Sequence, residues 1–196
     1  VSHFLQDPEI TPVLKDLIKI SSLPLRSVET TFAIDSTGFS TSRFDKWYDF
    51  KYGREAKNRI WVKAHFMVGT KTNVVTGVEI TKCYGSDTAD SPQLPNLVSQ
   101  TAENFTLTEV SADKAYSSRN NLAVIEEAGA VPFIPFKEGS TDKPKTVAIW
   151  KRMWHYFQYN KEQFLQHYHL RSNIESTNHM IKSKFGDSVR SKTWTA

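Results

Sequence analysis

The sequence has a single cysteine, Cys83, in 196 residues. One thiol excludes an intrachain disulfide, and with it the disulfide-stapled secreted scaffolds. It suits a reducing compartment, and it reads as a small apolar residue in a strand. No apolar run approaches the ~18 residues a membrane helix needs. No basic stretch followed by an apolar one opens the chain, so no signal peptide is legible. Internal repeats and low-complexity tracts are also lacking. Hydrophobic residues make up 39% and charged residues 23%, enough apolar material for a packed core, so global disorder is a poor reading. At this length one domain with a sizeable core is expected, and two would barely fit.

The formal net charge is +4 and the sequence pI about 9.1. Such a balance suits a polyanionic partner without singling one out. The chain begins at Val1 and ends at Ala196, just after the polar run 188–195. It reads as a fragment of a longer protein.

Along the chain, residues 1–30 read as a short helical or irregular lead-in punctuated by Pro8, Pro12 and Pro24. Residues 31–36 alternate and are β-prone, which puts Asp35 at the end of a first strand. Segment 40–58 is polar and aromatic and reads as a loop. Residues 59–68 and 73–82 read as two strands linked by a hairpin at Gly69 to Thr72. A helix is expected from about Ser91 to Glu103, then a strand over 107–112 that ends at Asp113. Ser118 opens a further helix and Gly129 stops it. Residues 131–136 form a short strand whose two prolines suit a sheet edge. Residues 138–145 are loop-like, and from about Thr146 into the 180s the pattern is helical, with Trp150, Met153, Trp154 and Phe157 at i, i+3, i+4 and i+7. Three strands that can pair antiparallel, followed by two that helices separate, predict an α/β fold: a mixed antiparallel and parallel sheet flanked by helices.

The last helical segment carries the most chemistry. At 100° per residue, Tyr168, Arg171, Glu175 and Lys182 fall within an arc of about 60°. Leu170, Ile174, Ile181 and Phe185 fall in another arc of similar width and should be buried. One face then offers a phenol, a carboxylate and two cations. The cations suit phosphates, one as a planar fork and one as a point charge. A single carboxylate is a poor Mg²⁺ site. The strand-end residues Asp35 and Asp113 supply two more, side by side if their strands are neighbours, with Glu175 brought across on a packed helix. Two ions bridged this way would activate an attacking oxygen and stabilise a leaving one.

The spacing Tyr168-x2-Arg171-x3-Glu175-x6-Lys182, with Ile34-Asp35-Ser36-Thr37-Gly38 and Ala112-Asp113-Lys114-Ala115-Tyr116 around the other acids, resembles the insertion-sequence DDE transposases of the Tyr-Arg-Glu-Lys subgroup. The likeness runs from about residue 31 to residue 190. It implies a ribonuclease H-like catalytic domain over 31–190, and Asp35, Asp113 and Glu175 as catalytic acids binding two Mg²⁺ (or Mn²⁺) ions. It implies cleavage of transposon-end DNA and attack of the freed 3′-hydroxyl on target DNA. It also implies that Tyr168, Arg171 and Lys182 contact phosphates of double-stranded DNA, that a homodimer bridges two ends, and that the protein is cytoplasmic and nucleoid-associated. The 61 residues between Asp113 and Glu175 leave no room for the large strand-rich insertion of some relatives.

Other readings stand beside this one. A lone Asp at a strand end is usually a turn or cap residue, and Arg171 and Lys182 would by default pair with acids on a wet face. Tyr168 would by default pack its ring. Lys63 and His65 share a strand face and read as an exposed or internally satisfied pair. Asp87 and Asp90 read as helix caps. His167, His169 and His179 have no cysteine or acid at zinc-ligand spacing. Trp150 and Trp154 read as core. The functional alternatives are an inactive element remnant that only binds DNA, and a ribonuclease H-like nuclease acting on RNA–DNA hybrids.

Overall fold

A computed structural model describes residues 7, 9–41, 61–83, 89–143 and 147–189. Its centre is one five-stranded sheet: β1 (Thr31–Ser40), β2 (Trp61–Gly69), β3 (Val75–Lys82), β4 (Glu109–Ala112) and β5 (Val131–Phe133). The spatial order is β3-β2-β1-β4-β5. The first three strands pair antiparallel, and β4 joins β1, and β5 joins β4, in parallel. The β2–β3 pair follows from a short connection, and each parallel strand is preceded by a helix that lets the chain cross back. Among the described residues six helices flank the sheet: α1 (Ile10–Ser22), α2 (Leu94–Ala102), α3 (Arg119–Glu127), α4 (Ala148–Tyr159), α5 (Lys161–Tyr168) and α6 (Ser172–Phe185). This is the expected mixed sheet, a ribonuclease H-like α/β fold.

Alternation along β1 divides the core in two. Phe32 and Ile34 face one side, where they pack with Leu94 and Leu97 of α2, Leu122 and Ile125 of α3, Ile149 and Met153 of α4 and Phe164 of α5. Ala33 faces the other side, where Ala64, Phe66, Val68 and Val78 meet Ile174 of α6, with Ile18 of α1 and Ile181 packed against them. The helical stripe of α4 behaves as its spacing predicts. Trp150 and Met153 are buried, and Trp154 and Phe157 pack against the same cluster.

Local signals held where the chemistry was local. Ser118 caps α3 by accepting a 3.1 Å bond from the Asn121 amide, and Gly129 adopts φ +85° just beyond that helix, the left-handed geometry that glycine adopts without a Cβ penalty. The β2–β3 hairpin turns where expected, closed by Gly69 N to Val74 O at 2.8 Å with Asn73 at φ 59°. Its turn is clamped by Glu29, wholly buried, whose carboxylate accepts from the Lys71 and Thr72 amides. A Cβ on Gly69 would lie 2.5 Å from the Glu29 side chain, so the close approach requires glycine.

Several expectations give way. Strand β1 does not end at Asp35 but runs on to Ser40, paired with β2 through Ser40↔Trp61, because the antiparallel partner continues the ladder. The single long helix is broken. Asn160 separates α4 from α5, and a tight turn at His169–Arg171 separates α5 from α6. Leu170 falls in that turn and Phe185 is the last residue of α6, so the predicted apolar stripe is only half buried. Ile174 is inside and Ile181 packs on the core, but Leu170 and Phe185 are exposed, while Thr177 and Asn178 are buried instead. The 40–58 segment, apart from residues 40 and 41, lies outside the described residues, as does Asp87. Helix α1 docks by a charged edge, Lys15 to Glu79 and Lys19 to Glu103 at 2.8 Å each, leaving Val13, Leu14, Leu17 and Ile20 exposed.

Candidate active site

The parallel register of β1 and β4 pairs Ile34 with Ala112. The next residues along the two strands are Asp35 and Asp113, so the aspartates occupy adjacent positions on adjacent strands. Asp113 is still extended, at φ −63° and ψ 156°, and keeps the strand's alternation. Both acids therefore face the side covered by α6, opposite to Ile34 and Ala112.

Helix α6 is tied along this face at both ends. Near its start, the Asn173 side-chain amide donates to Thr70 O at 2.8 Å and Thr177 Oγ1 bonds Asn73 Oδ1 at 3.2 Å, so the hairpin turn holds the helix. Beyond its end, Ser40 N donates to Asp187 O and Val189 N to Ser40 O, stitching the chain to the far end of β1. Glu175 lies between Asn173 and Thr177. Asn173, Thr177 and Glu29 thus set where Glu175 stands, and sequence spacing did not single them out. The i, i+4 pair Asn173/Thr177 was the available signal.

Arg171 joins the acids. One nitrogen lies 3.5 Å from Asp35 Oδ2 and the other bonds Glu175 Oε1 at 3.1 Å. Its guanidinium is stacked 5.6 Å from the centre of the Tyr168 ring. The Asp35 side chain is 21% exposed and that of Glu175 62%. Burial raises the Asp35 carboxyl above the ordinary range, and the Asp113 and Glu175 charges push the same way, against the Ser36 backbone bond and Arg171. The site therefore holds more negative charge than it neutralises. Lys182 stands apart, its ammonium 5.3 Å from the Phe39 ring. Burial lowers its pKa and Asp187 partly offsets the effect.

The donor set has the chemistry a hard dication wants, carboxylate oxygens whose mutual repulsion Arg171 only partly offsets. In the present arrangement Glu175 is drawn to Arg171. Among the described residues no three His, Cys, Asp or Glu side chains converge closely enough to hold a metal.

The opposite face of the sheet carries a second charged cluster. Lys63 and His65 face this side with Ser36, and all three meet Asp90. Lys63 Nζ is in close ion-pair contact, Ser36 Oγ donates at 3.2 Å, and His65 Nδ1 stands 3.5 Å away. His65 Nε2 shares a 2.8 Å bond with Thr81, and burial lowers its pKa to about 4. Lys63 and His65 are thus turned away from the acids, Lys63 paired with Asp90 and His65 bonded through Nε2 alone, its buried Nδ1 making no hydrogen bond. Asp90 is not a side-chain cap, because its carboxylate is taken by Lys63 and Ser36. Tyr116, 1% exposed, belongs to the core on the Ser36 side of the sheet. Its phenol is pushed far up by burial, with Asp90, Asp35 and Asp113 adding to the effect.

The remaining candidates have structural places. His167 bonds Glu109 at 2.9 Å and stacks on Phe133. Trp150 and Trp154 donate their indole N–H to Thr141 O and Ser140 O. Burial pushes the half-buried Cys83 thiol up to about 11, away from the thiolate form.

The sheet is ribonuclease H-like, with aspartates at adjacent positions beside β1 and β4 and, on a later helix, Glu175 joined to Asp35 through Arg171. A family model described as the transposase DDE domain matches residues 26–196. The chain belongs to that family.

Proposed function

We propose that the chain is the catalytic part of a DNA transposase of the Tyr-Arg-Glu-Lys subgroup, which cuts transposon ends and joins the freed 3′-hydroxyl to target DNA. The observation that carries this reading is the adjacency of Asp35 and Asp113 on neighbouring parallel strands, with Arg171 linking Asp35 to Glu175. The catalytic unit in this reading spans 31–190, with 1–30 as its lead-in, and acts as a nucleoid-associated homodimer bridging two DNA ends.

Asp35, Asp113 and Glu175 would hold two Mg²⁺ (or Mn²⁺) ions, whose chemistry, when bound, is activation of the attacking oxygen and stabilisation of the leaving one. The protein's own residues do the rest. The two aspartates are fixed by the sheet. Glu175 is exposed enough to turn from Arg171 toward them, while the Asn173 and Thr177 anchors keep its backbone in place. Arg171 neutralises Asp35 and Glu175 until that turn occurs. Its planar fork then suits a DNA phosphate, backed by the Tyr168 ring. Lys182 supplies a second phosphate contact further along α6.

The test is strand cleavage of a labelled transposon end with Mn²⁺, with Asp35→Asn, Asp113→Asn and Glu175→Gln beside the parent. Each variant should fold and bind DNA, and each should lose cleavage by orders of magnitude. A variant that cleaves near the parent rate removes that residue from the site. A parent that binds and never cleaves supports the inactive-remnant alternative, and cleavage confined to RNA–DNA hybrids supports the nuclease one.

A further inference from the structure

An open cleft of about 330 Å³ lies where the chain leaves β4 and β5, lined by Asp113, Lys114, Ala115, Lys137 and Glu138. It sits on the β5 side of Asp113, whereas α6, with Arg171 and Lys182, lies over β1 on the other side. Open α/β sheets place ligands in such crevices, outside the carboxyl ends of parallel strands.

Both lysines are exposed, and neither ammonium has a partner among the described residues. Lys15, Lys19, Lys63 and Arg152, by contrast, are each paired with a carboxylate. The backbone beneath each free lysine is nonetheless held. Lys114 opens a tight turn anchored by the buried Tyr116. Lys137 opens a turn closed by Ser140 N to Lys137 O at 3.1 Å, with Gly139 at φ +77°. This second turn is pinned by the two tryptophan N–H bonds to Ser140 and Thr141. Two cations presented on fixed backbone, without internal partners, next to a candidate catalytic carboxylate, are an arrangement for binding an anion.

We propose that Lys114 and Lys137 seat phosphodiesters of the DNA strand that passes Asp113, on the side away from α6. This rests on the DNA-processing reading. Asp113 is committed to metal there, which leaves two cations against Glu138. Neighbouring strands are ~4.8 Å apart and stacked nucleotides rise ~3.4 Å per step, so the cleft is one or two nucleotides from the acids. The strand would then be gripped on both sides of the scissile position, by α6 over β1 and by this cleft beside β5.

The test is the salt dependence of binding to a 30-bp random-sequence duplex at a fixed low concentration of Ca²⁺, a hard dication that carboxylates bind. Lys114→Gln and Lys137→Gln should each reduce the slope of log Kobs against log salt by about 0.9, and the double variant by about twice that. Lys137→Arg should retain the parent slope, and Lys151→Gln, on the exposed side of α4, should leave it unchanged. Thermal melts check that each variant is folded. A binding parent whose folded double variant keeps the full slope overturns the seat alone. A parent with no measurable duplex binding overturns the DNA reading and the seat with it.

Discussion

Neighbouring residues of one strand, Asp35 and Ser36, open onto opposite faces of the sheet, and the two faces treat carboxylates in opposite ways. On the Ser36 side, Asp90 is met by Lys63 and Ser36, with His65 held neutral beside it. On the Asp35 side, Arg171 pairs with Asp35 and Glu175 but not with Asp113, and the Asp35 carboxyl is raised by burial and by its two acidic neighbours. A compensated cluster holds strands and helices together. An under-compensated one is costly to keep unless something charged binds there. The difference separates a scaffold from a site better than charge content does, since both clusters are rich in ionisable groups.

The widest gap should appear in cleavage. The same Asp→Asn change should abolish it by orders of magnitude at Asp35 but leave it within about tenfold of the parent at Asp90, since only the first face holds reacting groups. A nicking assay reads both. Equal losses, with both variants folded, would erase the distinction between the faces.

Stability should reverse that order. Asp90→Asn leaves Lys63 without its partner and should cost about 3 kcal/mol in urea unfolding. Asp35→Asn removes a charge the fold disfavours and, without divalent cations, should not lower the melting temperature at neutral pH. The folded pKa of Asp35 is raised, so its contribution is present at low pH and lost as pH rises through that pKa. Any gain from Asp35→Asn therefore disappears below the carboxylate range.

The compensated face also has a pH signature. The His65 pKa falls from 6.5 to about 4 on folding, so the unfolded chain binds the extra proton. Stability should be full above pH ~6.5 and fall by up to about 3 kcal/mol as pH drops through ~4. Chemical unfolding across that window should show the slope in the parent and a shallower one in His65→Gln. Equal slopes would mean that His65 is not held neutral.

The smallest expected effect concerns the anchors of α6. Asn173→Ala removes one bond to the hairpin turn and should cost about 1 kcal/mol of stability. Because it loosens the helix carrying Glu175, it should also weaken Mn²⁺-dependent stabilisation by more than its thermal effect explains. A Mn²⁺-titrated melt that shifts as much as the parent's would leave Asn173 with a structural role only.

Much of this was legible in the chain because it is local. Turn and cap residues announce themselves within four positions, as Ser118, Gly129 and the Gly69–Thr72 hairpin did. The alternation around Ile34–Asp35 and Ala112–Asp113 put the two acids in equivalent strand settings. The Tyr168, Arg171, Glu175 and Lys182 spacing marked the helical segment. The exposure of Leu170 and Phe185 was not legible because a helical wheel assumes an unbroken helix, whereas Leu170 lies in the turn at His169–Arg171 and Phe185 at the very end of α6.

By itself, then, the sequence determined strand and helix order, the parity of each strand residue, and the identities of the acids and cations near the site, because propensity and periodicity act over a few residues. Only the tertiary structure decided that β4 pairs with β1 in the register that makes Asp35 and Asp113 neighbours. It alone turned Lys63 and His65 to the far face, gave Asp90 to Lys63 and Ser36, and moored α6 to the hairpin through Asn173 and Thr177. Those outcomes depend on contacts between segments tens of residues apart, where packing chooses among faces that alternation leaves equivalent.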